Sequence, residues 1–281
     1  MRISRENLRA YEDDGYLFLP GYLTSREVDV LVAELPMVFA EDSPRRVLEK
    51  NGQSVRSVYG AHTFSPTFER LVRHPKLVMP CEQILGSRVY VYQFKINAKL
   101  GLVGDVWEWH QDFIFWHKED GLPESRALNA VIFLHDVNEF NGPMFLIPGS
   151  HRYGMIDVPG QATVPQAYAE SPDWISNLTA DLKYSIDPST LKMLVAEHGI
   201  VAPKGERGSL LFFHPNVAHA SSPNLSPFDR TVAIVSYNSV ENLPRPKKDR
   251  RPDFLVASDY RPVTPLTEDA LFTVTEDALV T

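Results

Sequence analysis

Two stretches far apart in the chain constrain it most. The first is His110-Gln111-Asp112, an H-x-D inside WEWHQDFIFW (Trp107 to Trp116). In a strand, residues two apart project from the same face, so this imidazole and carboxylate are expected to grip one metal ion. The second lies in SLLFFHPNVAHASSPNLSPFDRTVAIVSYN (Ser209 to Asn238), which offers His214, His219 and Arg230. His219 is the preferred third ligand, because it is expected at a strand's end just before the turn Ser221 to Phe228. Arg230 then opens the returning strand, and a hairpin should bring it back beside His219.

Two imidazoles and one carboxylate on one face leave coordination positions open, the facial arrangement of non-haem Fe(II) oxygenases. A lone H-x-D is weak, since the tripeptide occurs by chance. Its aromatic neighbours Trp107, Trp109, Phe113, Phe115 and Trp116 strengthen it, because together they can wall a dry cavity. Plain core packing accounts for several of them. Arg230 can hold a carboxylate in a bidentate clamp. A surface ion pair is its simpler role, but the apolar run Thr231 to Val235 points it towards an interior. A non-catalytic metal-binding cupin-like module and a Zn hydrolase remain alternatives from the ligand set alone.

Along the chain, Ser4 caps an expected helix to Asp14, Gly15 ends it, and Tyr16 to Leu19 reads as a strand. Thr24 and Glu27 have capping-box spacing, and Val28, Leu31, Val32 and Leu35 fall on one helical face. Arg46 to His62 is expected to be a hairpin with a tight turn at Asn51-Gly52. It carries Arg56, Tyr59 and His62, read either as a half-exposed strand face or as a wall gripping a polar substrate. Phe68 to Leu85 is helical in pattern, and Val89 to Asn97 is a strand by alternation. Ala130 to Leu134, Met144 to Ile147, Leu210 to Phe213 and Thr231 to Tyr237 complete the strands.

Residues 160–204, rich in Pro, Ser and Asp, read as a lid-like insertion with one helix near Ser189 to His198. The tail repeats TEDAL at Thr267 and Thr275, as a frayed helix or a disordered end. Helices come early and strands dominate from residue 89. The expected fold class is therefore α+β, with flanking N-terminal helices and an antiparallel barrel or double-sheet core; short strands separated by Gly and Pro turns support a jelly roll. A single domain is expected, with its tail over 264–281.

The net charge of −8 and pI near 5.6 argue against a nucleic-acid surface. The basic run Lys247 to Arg251 reads as a solvated turn. The lone Cys81 excludes an internal disulfide and fits a reducing cytoplasm. It is read as a buried structural thiol. No run is long enough to span a bilayer, so no membrane partner is expected.

The spacing H-x-D, then H-x-S-x-x-N-x-S-x-x-x-R with eleven residues from His219 to Arg230, resembles the phytanoyl-CoA dioxygenase family of Fe(II)/2-oxoglutarate oxygenases. FNGPMFLIPGSH (Phe140 to His151) is similar to that family's N-G-P-L-x-x-x-P-G-S-H signature. The resemblance implies a double-stranded β-helix (jelly-roll, cupin-like) core over about residues 11–242, His110, Asp112 and His219 as Fe(II) ligands, and Arg230 as the clamp for the distal carboxylate of 2-oxoglutarate. It adds Asn97 as a second 2-oxoglutarate contact and Ser221 as a polar neighbour of the clamp, with O₂ as co-substrate.

Within the family the chain looks closest to bacterial hydroxylases of free amino acids of the leucine 5-hydroxylase type. Motifs such as YQFKIN, GDVWEWHQDFIFW and SPNLSPFDR carry that similarity. Ectoine hydroxylases share the frame, including Gln93 and Trp116, but have Glu-Thr where this chain has Ile114-Phe115, which favours a less polar pocket. The substrate is expected to be a leucine-like amino acid, its carboxylate gripped by Arg56 with Tyr59, His62 and Gln93 nearby. Phe115 and Trp116 would wall its apolar chain. Related halogenases carry Gly or Ala in place of the metal carboxylate, so Asp112 implies hydroxylation.

Overall fold

Alternation along three long strands organises the molecule. In β4 (Val89–Lys99), β6 (Ala127–Phe133) and β10 (Arg230–Ser239), successive side chains face opposite sides of one sheet. Phe94 and Ile96, Leu128, Ala130 and Ile132, and Ala233 and Val235 point outward into a core shared with helices. Val131, Phe133, Val232 and Ile234 point inward, against a second sheet. The computed structural model describes residues 2–160, 174–175 and 178–273.

The remaining strands are β1 (Tyr16–Leu19), β2 (Arg46–Leu48), β3 (Val55–Tyr59), β5 (Trp107–His110), β7 (Met144–Leu146), β8 (Leu210–Phe213) and β9 (His219–Ser221). The larger sheet has seven strands in the order β1-β8-β6-β10-β4-β3-β2, and a three-stranded sheet, β5-β9-β7, covers its inner face. Every pairing between named strands is antiparallel. This is the expected α+β jelly roll, with helices against the outer face of the larger sheet.

Those helices form where local chemistry supports them. Helix α1 (Arg5–Asp14) starts at Ser4, whose hydroxyl accepts from the Asn7 amide, and ends at Gly15 in the left-handed region. Helix α2 (Ser25–Ala33) opens on the Thr24–Glu27 capping box. Leu35, expected on the same helix, instead opens α3 (Leu35–Phe39).

The expected helix from Phe68 to Leu85 is two, α4 (Pro66–Val72) and α5 (Pro75–Leu85). Pro75 pushes His74 into an extended conformation and cannot donate an amide, so one helix ends and His74 caps the next. Cys81 is buried in α5. The hairpin β2–β3 forms, but its turn runs from Glu49 to Ser54 rather than closing tightly on Asn51-Gly52.

Among the described residues, no helix is long and apolar enough to cross a membrane. In the insertion, residues 161–173 and 176–177 lie outside the described residues; α7 (Pro188–His198) follows them. The first TEDAL copy is ordered: Ala270–Phe272 form a short 3-10 turn whose Leu271 joins the helical core. The second copy lies outside the described residues.

Candidate metal centre and active cavity

His110 is the last residue of β5 and stands opposite His219 in β9. Their rings lie 4.1 Å apart, centroid to centroid. The Nδ1–H of His110 donates to the Glu108 carbonyl at 2.6 Å and that of His219 to the Val217 carbonyl at 3.0 Å. Each bond fixes a ring and its tautomer, leaving the Nε2 lone pairs to converge.

Asp112 is not on the strand. The chain leaves the sheet at Gln111, and Asp112 is the first residue of α6 (Asp112–Lys118). The period-two argument for H-x-D therefore gives the right neighbours for the wrong reason. Gln111 makes the corner: its amide donates to the Asn216 carbonyl at 2.6 Å and the Gly154 carbonyl at 2.9 Å, and its oxygen accepts from the Ile156 amide.

The ligand atoms of His110, Asp112 and His219 all lie within 4.8 Å of one another, and all three residues are buried. Burial alone would raise the Asp112 pKa, but Lys95 and the two histidines hold it well below the carboxylate range. Burial and the neighbouring His110 push His219 down to about 3, so its lone pair stays available for a metal. His214 stands apart, its ring against His151.

Arg230 opens β10, in the other sheet from His219, so no hairpin joins them; the chain crosses from one sheet to the other over 222–229. Both still face one cavity. Arg230 donates through Nη2 to the Gly142 carbonyl. Gly142 has φ +78°, and a Cβ there would come within 2.6 Å of Lys99 Cδ, which accounts for glycine in the N-G-P turn.

The Nε of Arg230 is buried with no partner, and Asn97 likewise leaves its amide oxygen unpartnered. Burial lowers the guanidinium to about 10, still charged at neutral pH. Two imidazoles, one carboxylate and an arginine with an unpartnered Nε on one cavity suit a divalent metal and an anionic co-substrate together.

One cavity lies between the two sheets, lined by His110, Asp112, His219 and Arg230. Asn97, Ser221, Tyr59, Gln93, Phe115 and Trp116 all line it, as expected. Arg56 and His62 do not. Arg56 is closed off by Glu49 at 3.0 Å, the Val106 carbonyl at 2.7 Å, the Leu178 carbonyl at 3.3 Å and the Trp107 ring at 3.9 Å. His62 opens onto a second cavity with Arg45 and is lowered to about 4 by burial and that arginine.

Three lining features went unread in the sequence. Lys95, 3.7 Å from Asp112, shares the face of β4 with Gln93 and Asn97, so alternation could have found it. Arg251 is no part of a solvated turn. It is buried, grips Asp120 through Nε at 2.7 Å and Nη2 at 2.6 Å, and lines the cavity. Its acid lies 131 residues away, and nothing local signals the pair. Leu178 and Leu182 close the wall from the insertion.

Fold and site together define a non-haem metal oxygenase of the jelly-roll class. The phytanoyl-CoA dioxygenase (PhyH) family matches residues 11–232, and the chain belongs to that family. It is 40% identical over 261 residues to an L-proline trans-4-hydroxylase from Streptomyces griseoviridis, spanning 93% of this chain and 95% of that one. It is 37% identical over 273 residues to an ectoine dioxygenase from Bordetella bronchiseptica, spanning 94% and 86%. The crystal structure of EctD from S. alaskensis with 2-oxoglutarate and 5-hydroxyectoine superposes with a TM-score of 0.79 at 30% identity, covering 94% of this chain and 87% of that one.

Proposed function

We propose that the protein is an Fe(II)- and 2-oxoglutarate-dependent hydroxylase of a small free amino acid. The observation that carries this is the convergence of His110, Asp112 and His219 with the unpaired Arg230 Nε on one buried cavity. A zinc hydrolase or a non-catalytic cupin-like module gives no role to that arginine. His110, Asp112 and His219 would hold the iron; Arg230, with Asn97 and Ser221 beside it, would hold 2-oxoglutarate. The chemistry supplied there would be oxidative decarboxylation of 2-oxoglutarate to succinate and CO₂, which takes one atom of O₂, with the other atom inserted into a substrate C–H bond.

The chain's own residues do the rest. Arg251 replaces Arg56 as the anchor for the substrate carboxylate, because it lines the cavity and Arg56 does not, and Asp120 holds it in place through Nε and Nη2. Phe115, Trp116, Leu178, Leu182 and Ile234 exclude water and wall an aliphatic chain. Holding one end of the substrate fixes which carbon reacts. The expected substrate is aliphatic, leucine-like or, as for the Streptomyces griseoviridis relative, proline; ectoine is the alternative, favoured by the S. alaskensis neighbour. A cytoplasmic location belongs to the same reading, supported by the free, buried thiol of Cys81.

The test is mass spectrometry of leucine, proline and ectoine offered together with Fe(II), 2-oxoglutarate and ascorbate, with succinate quantified. A hydroxylated amino acid with matching succinate is the expected result. Turnover of ectoine alone would overturn the amino-acid reading, and succinate from none of the three would overturn both. Chlorination in chloride buffer would contradict hydroxylation at a site that keeps Asp112.

A further inference from the structure

Behind the metal carboxylate lies a buried polar pair that forms no part of the cavity wall. Asn129 on β6 stands directly opposite Ser236 on β10, and neither is exposed. Both point to the inner side of the sheet, at positions where their strand neighbours Val131 and Ile234 pack apolar side chains. Two polar groups in such a place cost stability unless they are paired. Here they pair with each other and with Asp112. The Asn129 Nδ2 donates to Asp112 Oδ2 at 2.8 Å, and Asn129 Oδ1 accepts from the Ser236 hydroxyl at 2.5 Å.

The direction of this chain follows from charge. An ionised carboxylate only accepts hydrogen bonds, so Asn129 must turn its NH₂ towards Asp112. Its oxygen then faces Ser236, whose hydroxyl must donate. Ser236 thereby fixes the amide, and the amide fixes the carboxylate. The two oxygens of Asp112 are left unequal. Oδ2 accepts from Asn129 and lies 3.9 Å from His219 Nε2, whereas Oδ1, 3.7 Å from Lys95 Nζ and 3.7 Å from His110 Nε2, has no hydrogen bond among the described residues. Because Asp112 starts a helix after a corner, the strand ladder does not constrain its side chain.

We propose that Asn129, oriented by Ser236, is a positioning residue that occupies one oxygen of Asp112, so that the metal engages this carboxylate through the other alone. A carboxylate free to turn can offer both oxygens and occupy a coordination position that the co-substrate needs. The inference rests on His110, Asp112 and His219 holding the metal.

The experiment compares wild type, Asn129→Ala, Asn129→Ser, Ser236→Ala and the double variant Asn129→Ala/Ser236→Ala. Co(II), whose visible absorption reports its coordination, is titrated into each metal-free protein before and after 2-oxoglutarate is added. Fe(II) affinity and thermal melting are measured alongside. Groups that orient metal ligands typically change affinity 10- to 100-fold when removed. Asn129→Ala is expected to melt cooperatively, bind metal at least ~10-fold more weakly and show an altered Co(II) spectrum. Ser236→Ala should shift both in the same direction by less, and the double variant should match Asn129→Ala, because the two residues act in series.

Unchanged metal affinity and spectrum in a folded Asn129→Ala protein would overturn the proposal, as would fully additive effects in the double variant. Should Asn129→Ala not fold, Asn129→Ser and Ser236→Ala carry the same comparison. A wild-type protein that binds neither Co(II) nor Fe(II) would instead refute the metal site itself.

Discussion

Arg56 is enclosed on every side, and its partner Glu49 is as deeply buried. Removing one member of such a pair strands the other charge away from water, which typically costs about 3–5 kcal/mol. Arg56→Ala should therefore lower the melting temperature sharply while leaving the KM for the amino acid near wild type in whatever folds. A raised KM at unchanged stability would return Arg56 to the binding role its position in the sequence suggested. Arg230 is the opposite case: it is buried, its Nε has no partner, and among the described residues no acid pairs with it. Loss of a charge-assisted contact of this kind costs on the order of 2–5 kcal/mol. In Arg230→Ala, 2-oxoglutarate should bind tens-fold or more weakly in an anaerobic titration, with Fe(II) affinity unaltered. Equal 2-oxoglutarate affinity in mutant and wild type would exclude the assigned role. From the sequence these two arginines look alike, because what separates them is how far the fold supplies their nitrogens: Glu49 and the Val106 and Leu178 carbonyls take Arg56, whereas the Nε of Arg230 has no partner.

At the level of elements, the strand pattern and helix caps were legible because each depends on a few neighbouring residues. Ser4, the Thr24–Glu27 box, Gly15 and the alternation of β4 all give local signals. The corner at Gln111, the sheet change between His219 and Arg230, and the Arg251–Asp120 pair were not legible, since each is set by contacts distant in sequence. The segment ahead of α7 shows the same limit. Its composition reads as an insertion, but its position over the cavity depends on Glu108 of β5, which accepts from the Leu182 amide at 3.1 Å and the Ser185 hydroxyl at 2.6 Å. Glu119 adds Lys183 and Tyr184 at 2.7 and 2.6 Å. Glu108→Ala should release this strap from the wall that carries Leu182. Amide exchange at Leu182 should speed up, and the KM for the amino acid should rise several-fold. Unchanged exchange at that amide would show that Glu119 and packing alone hold the segment.

For the molecule as a whole, placing the site between two sheets means that its histidines are folded into a dry interior. Burial, assisted by Arg45, lowers His62 to about 4; burial and His151 lower His214 to about 4; burial and His110 lower His219 to about 3. Their ordinary value is 6.5, so between pH 6.5 and about 4 the unfolded chain binds protons that the native protein refuses. Stability rises with pH wherever the unfolded state binds more protons, and so falls on acidification. The contribution of these groups is thus complete above pH 6.5 and is lost as the medium is acidified towards the folded values. Each group can cost up to about 1.4 kcal/mol per pH unit across that window. The carboxylates held low by their partners, such as Glu27 beside Lys76 and Glu119 beside Lys183, act with the same sign, but only below their ordinary 4.5. The interval from pH 6.5 to 5 therefore isolates the histidines. Urea midpoints of the metal-free protein should decline steadily across that interval, with net proton uptake on unfolding. His214→Gln, which touches no proposed metal ligand, should make the decline shallower. A midpoint that stays level from pH 7 to 5 would mean that these imidazoles are protonated inside the fold, and the buried, neutral site described above would be wrong.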